Sequence, residues 1–146
     1  MLTIKIMRRL TIVLLLCIGT GCTGTKNTTT ESDKLNGTWV PVIQEIAGKQ
    51  LPTIAFVKQK LTINDNTYTL VAESVDKGEL TYGGGKMDIY GKEGVNAGKH
   101  FTAIYKFEND RLTVCYNLSG DSYPETFETK GRSTFFLSVF ERETVK

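Results

Sequence analysis

Reactive side chains are scarce in this sequence. Three cysteines and one histidine occur in 146 residues, so nucleophilic, redox or metal chemistry must be built from Cys17, Cys22, Cys115 and His100. Cys17 and Cys22 are five apart, which is not the Cys-x-x-Cys spacing of a redox pair, and Cys17 lies inside an apolar run. Cys115, in TVCYN, would need a base to become a thiolate nucleophile. If Asn109-Asp110 is a two-residue hairpin turn, Glu108 faces Arg111, and counting back puts Cys115 opposite Ile104. His100 then falls opposite Ser119, about 13 Å along the ladder at ~3.4 Å per residue. A hydrogen bond cannot span that gap. No catalytic residue is therefore assigned, no enzymatic activity is expected, and Cys115 is read as a structural thiol. A single histidine and scattered carboxylates give no metal-ligand spacing. Gly83-Gly84-Gly85 lack the following helix of a phosphate loop and read as a hairpin turn. No metal and no cofactor is expected. The tyrosines remain. Tyr68, Tyr82, Tyr105 and Tyr116 come from separate segments, and each joins an apolar body to a polar tip, which suits a wet pocket lining. They are the candidate ligand contacts; the plainer reading is a packed core.

Cys22 is better explained by its neighbours. Lys5, Arg8 and Arg9 precede a short apolar run from Leu10 to Ile18, and Gly19, Thr20 and Gly21 are all small. Charge, apolar run and small residues in that order make a secretory signal, too short to span a bilayer. With a cysteine next, residues 17–22 resemble a bacterial lipoprotein signal, in which that cysteine is acylated and becomes the first mature residue. Gly19 stands where such signals usually carry leucine. The resemblance implies a signal peptide over 1–21, lipidation at Cys22 and a membrane anchor in the cell envelope, facing the periplasm or the exterior.

Charge agrees with that division. The chain carries 18 Lys+Arg and 16 Asp+Glu; removing Lys5, Arg8 and Arg9 leaves 15 against 16, net −1. The positive balance belongs to the signal, and the case for nucleic-acid binding by bulk charge goes with it. From Thr23 to Asp33 no apolar residue occurs, so residues 22–34 read as a flexible tether.

The domain that follows, 35–146, is a succession of short strands. Segments such as KLTINDN, YTLVAESV, HFTAIYKFE and RLTVCYNL alternate apolar and polar residues and end in turn signals. The pattern predicts an all-β domain of about eight antiparallel strands, a number at which an up-and-down sheet can close into a barrel. In this reading Asp76-Lys77-Gly78 is a turn, Pro52 opens a short helical turn, and the apolar outer face of FFLSVFER is covered by the tether or by residues 51–58.

LNGTWVPVIQEIAGKQLP, KLTINDNTYTL, KGELTY, GKHFTAIYKFENDRLTVCYNLSGDSYPETF and FLSVFERE together resemble an uncharacterised domain family named for its abundance in Planctomycetes, whose members look like lipocalin-type barrels. Gly37-Thr38-Trp39 also matches the Gly-x-Trp mark of the first lipocalin strand. The resemblance implies that Gly37, Trp39 and Arg142 close the barrel, with Trp39 packed across one end beneath Arg142. It implies no established activity. The expected partners are the membrane through the anchor, and either a small apolar or amphipathic ligand or, alternatively, an envelope protein bound by a filled barrel.

Overall fold

The computed structural model describes residues 29–144. Nine strands form one antiparallel sheet: β1 Gly37–Ile46, β2 Lys49–Gln50, β3 Lys60–Asn64, β4 Thr67–Val71, β5 Val75–Gly83, β6 Lys86–Glu93, β7 His100–Glu108, β8 Arg111–Asn117 and β9 Phe135–Arg142. Their order is β2-β1-β3-β4-β5-β6-β7-β8-β9, and β1 also pairs with β9. Eight strands thus close on themselves in sequence order, and β2 is a two-residue extra strand beside the end of β1. Closure removes the exposed edges that an open sheet would present. The fold is the all-β, up-and-down barrel that the alternation predicts.

The tight turns form where the residues favour them. Asn109 and Asp110 both adopt positive φ, 51° and 60°, as a two-residue hairpin requires. They set the register Glu108↔Arg111 and Ile104↔Cys115. That turn, the turn after β3 and the Gly84-Gly85 turn share one end of the barrel. The longer connections 47–59, 72–74, 94–99 and 118–134 share the other.

The first end is closed by a helix that the tether reading did not anticipate. Glu31–Leu35 forms α1, started by a capping box in which Thr30 and Asp33 satisfy each other's backbone amides. The flexible stretch expected over 22–34 therefore gives way at Thr30. Three polar contacts fix the helix: Ser32 donates to Asp65, Asp65 N donates to Asn36, and the Tyr105 hydroxyl donates to Glu31. Leu35, fully buried, plugs the barrel bottom against Trp39, which is 1% exposed. The signal segment 1–21 and Cys22 lie outside the described residues.

Two further expectations change. Asp76-Lys77-Gly78 is not a turn: the reversal falls at residues 72–74, and β5 runs through all three. Asp76 is buried in the strand, where its carboxylate accepts from Asn96 N at 3.0 Å. The outside of β9 is covered by the 118–134 connection, not by the tether or residues 51–58. This connection straps the outer wall. The Tyr123 hydroxyl donates to Asp88 on β6, Ser122 O accepts from Thr102 on β7, and buried Thr129 bonds Glu45 and Gly48 N beyond β9. The Pro52 expectation is met by a short 3-10 turn, Thr53–Ala55.

Candidate functional site

Inward-facing positions of the strands enclose a cavity of about 600 Å³ that opens at the end carrying the long connections. Alternation explains its lining. Leu112, Val114 and Tyr116 line it from β8, Met87 and Ile89 from β6, and Phe136 and Phe140 from β9. The intervening residues face outward. The wall is mostly aliphatic because an up-and-down barrel needs apolar side chains at every second position, and here those side chains stop short of filling the centre.

Polar groups sit in two places. Near the mouth, Gln44 Nε2 donates to Gln59 Oε1 at 2.8 Å, and Lys99 Nζ donates to Asn96 Oδ1 at 3.3 Å. Lys99 is the one charged residue lining the cavity and is exposed to solvent. Further along the wall stand the phenols of Tyr68 and Tyr116. Burial raises the pKa of Tyr68, with the nearby charge of Asp76 adding to it. Burial also pushes Tyr116 well above the usual phenol range, with Tyr68 contributing. Both phenols therefore keep their protons at neutral pH.

Of the four tyrosines that the sequence singles out, the cavity brings together Tyr68 and Tyr116. Tyr105 belongs to the closed end, bonded to Glu31 and edge-on to Phe107 with centroids 6.1 Å apart. Tyr82 packs half-buried against the core and does not line the cavity. Gln44, Gln59, Asn96 and Lys99 were not found by sequence reasoning. Their signal was weak, because polar residues beside turns usually face solvent.

At the closed end, Trp39 and Arg142 are direct neighbours across the β1–β9 seam. The Arg142 guanidinium lies 4.3 Å from the indole centroid. Its Nη1 donates to Asn36 O at 2.6 Å and its Nη2 to Lys34 O at 2.5 Å, while Trp39 Nε1 donates to Leu35 O at 2.8 Å. Gly37, at φ 131°, leaves the space that the guanidinium fills: a Cβ there would stand 2.6 Å from Arg142 Nη1. Arginine and tryptophan thereby hold the last carbonyls of α1 and lock the helix to the barrel seam.

The reactive residues stay apart. Cys115 is fully buried on the outward side of β8, between Ile104 and Leu137. Burial, and secondarily the charge of Glu45, raises its thiol pKa to about 11, so the thiol is protonated at neutral pH. Because the folded thiol holds its proton to higher pH than an unfolded one, its contribution to stability is constant below pH 9 and falls as pH rises from 9.0 toward about 11. His100 turns to the outside of β6, where its Nε2 is 2.7 Å from Asp88 Oδ1 and its ring stacks on Tyr90 at 4.7 Å. Asp88, on the outer face of β6, anchors both His100 and the strap residue Tyr123. No group of three or more His, Cys, Asp or Glu residues placed to hold a metal occurs among the described residues. No helix among them is long and apolar enough to cross a membrane.

No protein-family model matches the chain, and no curated protein matches it.

Proposed function

We propose that this chain is a lipid-anchored protein of the cell envelope whose lipocalin-like barrel binds a small apolar or amphipathic ligand and performs no chemistry on it. The observation that carries the reading is the cavity: about 600 Å³, mostly apolar and open at one end, within the range of small-molecule sites. A barrel built only as a scaffold would gain stability by filling that space. The anchor at Cys22 rests on the lipoprotein-like residues 17–22. Thr30 stands at the closed end, so about eight residues separate the lipid from that end, at most ~28 Å of chain. This tether would turn the closed end toward the bilayer and the mouth away from it.

Two experiments test the two halves of the reading. The mature chain is expected to bind the neutral apolar probe N-phenyl-1-naphthylamine saturably. Leu70→Trp, which places an indole in the cavity, should weaken that binding at least tenfold while leaving the thermal midpoint nearly unchanged. Unsaturable binding, or equal binding by the filled variant, would refute ligand binding in the cavity. For the anchor, Cys22→Ser should move the protein from the membrane to the soluble fraction or leave an unprocessed precursor, since acyl chains contribute ~0.8 kcal/mol per buried methylene. Normal processing and unchanged membrane fractionation would refute lipidation.

A second reading is favoured by one observation. Ile54, Val57, Val95 and Leu118 are exposed large apolar side chains in the connections at the mouth end, Ile54 81% exposed. An apolar rim of this kind suits contact with an envelope protein, whose binding would survive Leu70→Trp.

A further inference from the structure

The polar side chains at the cavity mouth already have partners. Gln44 bonds Gln59 and lies 3.5 Å from Ser138 Oγ, and Lys99 bonds Asn96. The two phenols differ. Neither Tyr68 nor Tyr116 makes a side-chain hydrogen bond to any other described residue, although Tyr68 is only 7% exposed. Their oxygens are not sealed off either, because no enclosed side-chain nitrogen or oxygen among the described residues lacks a partner. Both hydroxyls must therefore open onto cavity space. Buried polar groups are almost always satisfied, and one that no protein group satisfies calls for water or a ligand.

These hydroxyls are donors. Both phenols hold their protons at neutral pH, and Tyr116 feels Tyr68 across the same space. A purely hydrocarbon ligand would exclude water from these donors and leave them unpaired. An ammonium group could donate to a phenol oxygen, but it would leave the phenol protons without an acceptor. A ligand carrying an acceptor oxygen replaces the lost bonds. Lys99 adds little to this choice. It is exposed at the mouth, where water competes for it.

We propose that the cavity selects apolar molecules bearing a hydrogen-bond acceptor oxygen, as in a ketone, ester or carboxylate, and that Tyr68 and Tyr116 donate to that oxygen. The inference rests on ligand binding in the cavity and names the class of ligand.

Competition against N-phenyl-1-naphthylamine on the mature chain tests it, with 2-decanone, decanoate and decylamine as competitors and with Tyr68→Phe, Tyr116→Phe and the double variant. Phenylalanine keeps the ring and removes only the hydroxyl, and retained probe binding reports an intact barrel. The wild type should bind the ketone and the carboxylate more tightly than the amine, and about tenfold of that preference, the effect of an ordinary hydrogen bond, should come from the phenols. The double variant should lose that tenfold share while binding the probe within about twofold of wild type. If all three competitors bind the double variant as they bind the wild type, the phenols do not select, and this inference falls while cavity binding stands. If neither probe nor competitors bind the wild type, both readings fall. A preference for decanoate over 2-decanone that disappears in Lys99→Gln and ignores the phenols would assign selection to the mouth and overturn the proposal.

Discussion

Replacing Trp39 with alanine should lower folding stability by about 3–5 kcal/mol, the range for removing a large buried aromatic that leaves a cavity. The indole is 1% exposed and packs with Leu35 at the closed end. Its loss also removes the donor to Leu35 O and the surface under Arg142. Arg142→Ala should cost less, because the guanidinium is exposed to solvent on one side. It nevertheless gives up a cation–π contact worth ~0.5–2 kcal/mol and the two bonds to Lys34 O and Asn36 O. The two residues touch, so the double variant should show a coupling above ~0.5 kcal/mol in urea unfolding. Arg142→Lys should recover little, since an ammonium cannot stack flat on the indole and bridge two carbonyls at once. Strict additivity, or full rescue by lysine, would mean that seam and helix are held by something else.

The strands and the β7–β8 hairpin are the parts of the fold most legible in the sequence, whereas the β1–β9 seam follows only from the family resemblance. Strand alternation, the Asn109-Asp110 turn and the register that it sets are local features, and they place Cys115 opposite Ile104 as found. What escaped the sequence depends on distant residues. Glu31–Leu35 carries one apolar side chain, too little to announce an amphipathic helix, yet Leu35 is buried because the barrel end supplies a hole for it. Asp88 looks like any exposed strand carboxylate until the strap brings Tyr123 to it from 35 residues away. The cavity is invisible in the same way. Apolar alternation describes a filled barrel and an open one equally, and the difference lies in the summed side-chain volume. Tyr68 and Tyr116 are legible as candidates because a phenol joins an apolar body to a polar tip, whereas Tyr105 has the same character and is taken by Glu31.

Gly78 looks from sequence like part of a turn for a related reason, and replacing it should cost the barrel heavily. Aspartate, lysine and glycine in succession are turn residues by composition, but Gly78 sits buried in β5, paired with Tyr68 on one side and Gly91 on the other. It is there for space. A Cβ at this position would run into the carbonyl oxygen of Tyr90, and would stand 2.6 Å from Tyr68 Cε1 and 2.9 Å from its hydroxyl. The first obstacle is backbone and cannot rotate away; the second is a phenol that lines the cavity. Gly78→Ala should therefore destabilise the barrel by about 3 kcal/mol, at the upper end for overpacking. Gly83→Ala, at the end of the same strand with nothing within 4 Å of the added methyl, should change stability by no more than ~0.5–1 kcal/mol and in the stabilising direction. The contrast separates crowding from the general cost of changing a strand glycine. Folded Gly78→Ala should also discriminate less between 2-decanone and decylamine than the wild type, because the added methyl pushes the Tyr68 ring from its place. Urea unfolding within ~0.5 kcal/mol of wild type would show that β5 and β6 can part at this point without loss, and that the glycine is not what admits the phenol to the wall.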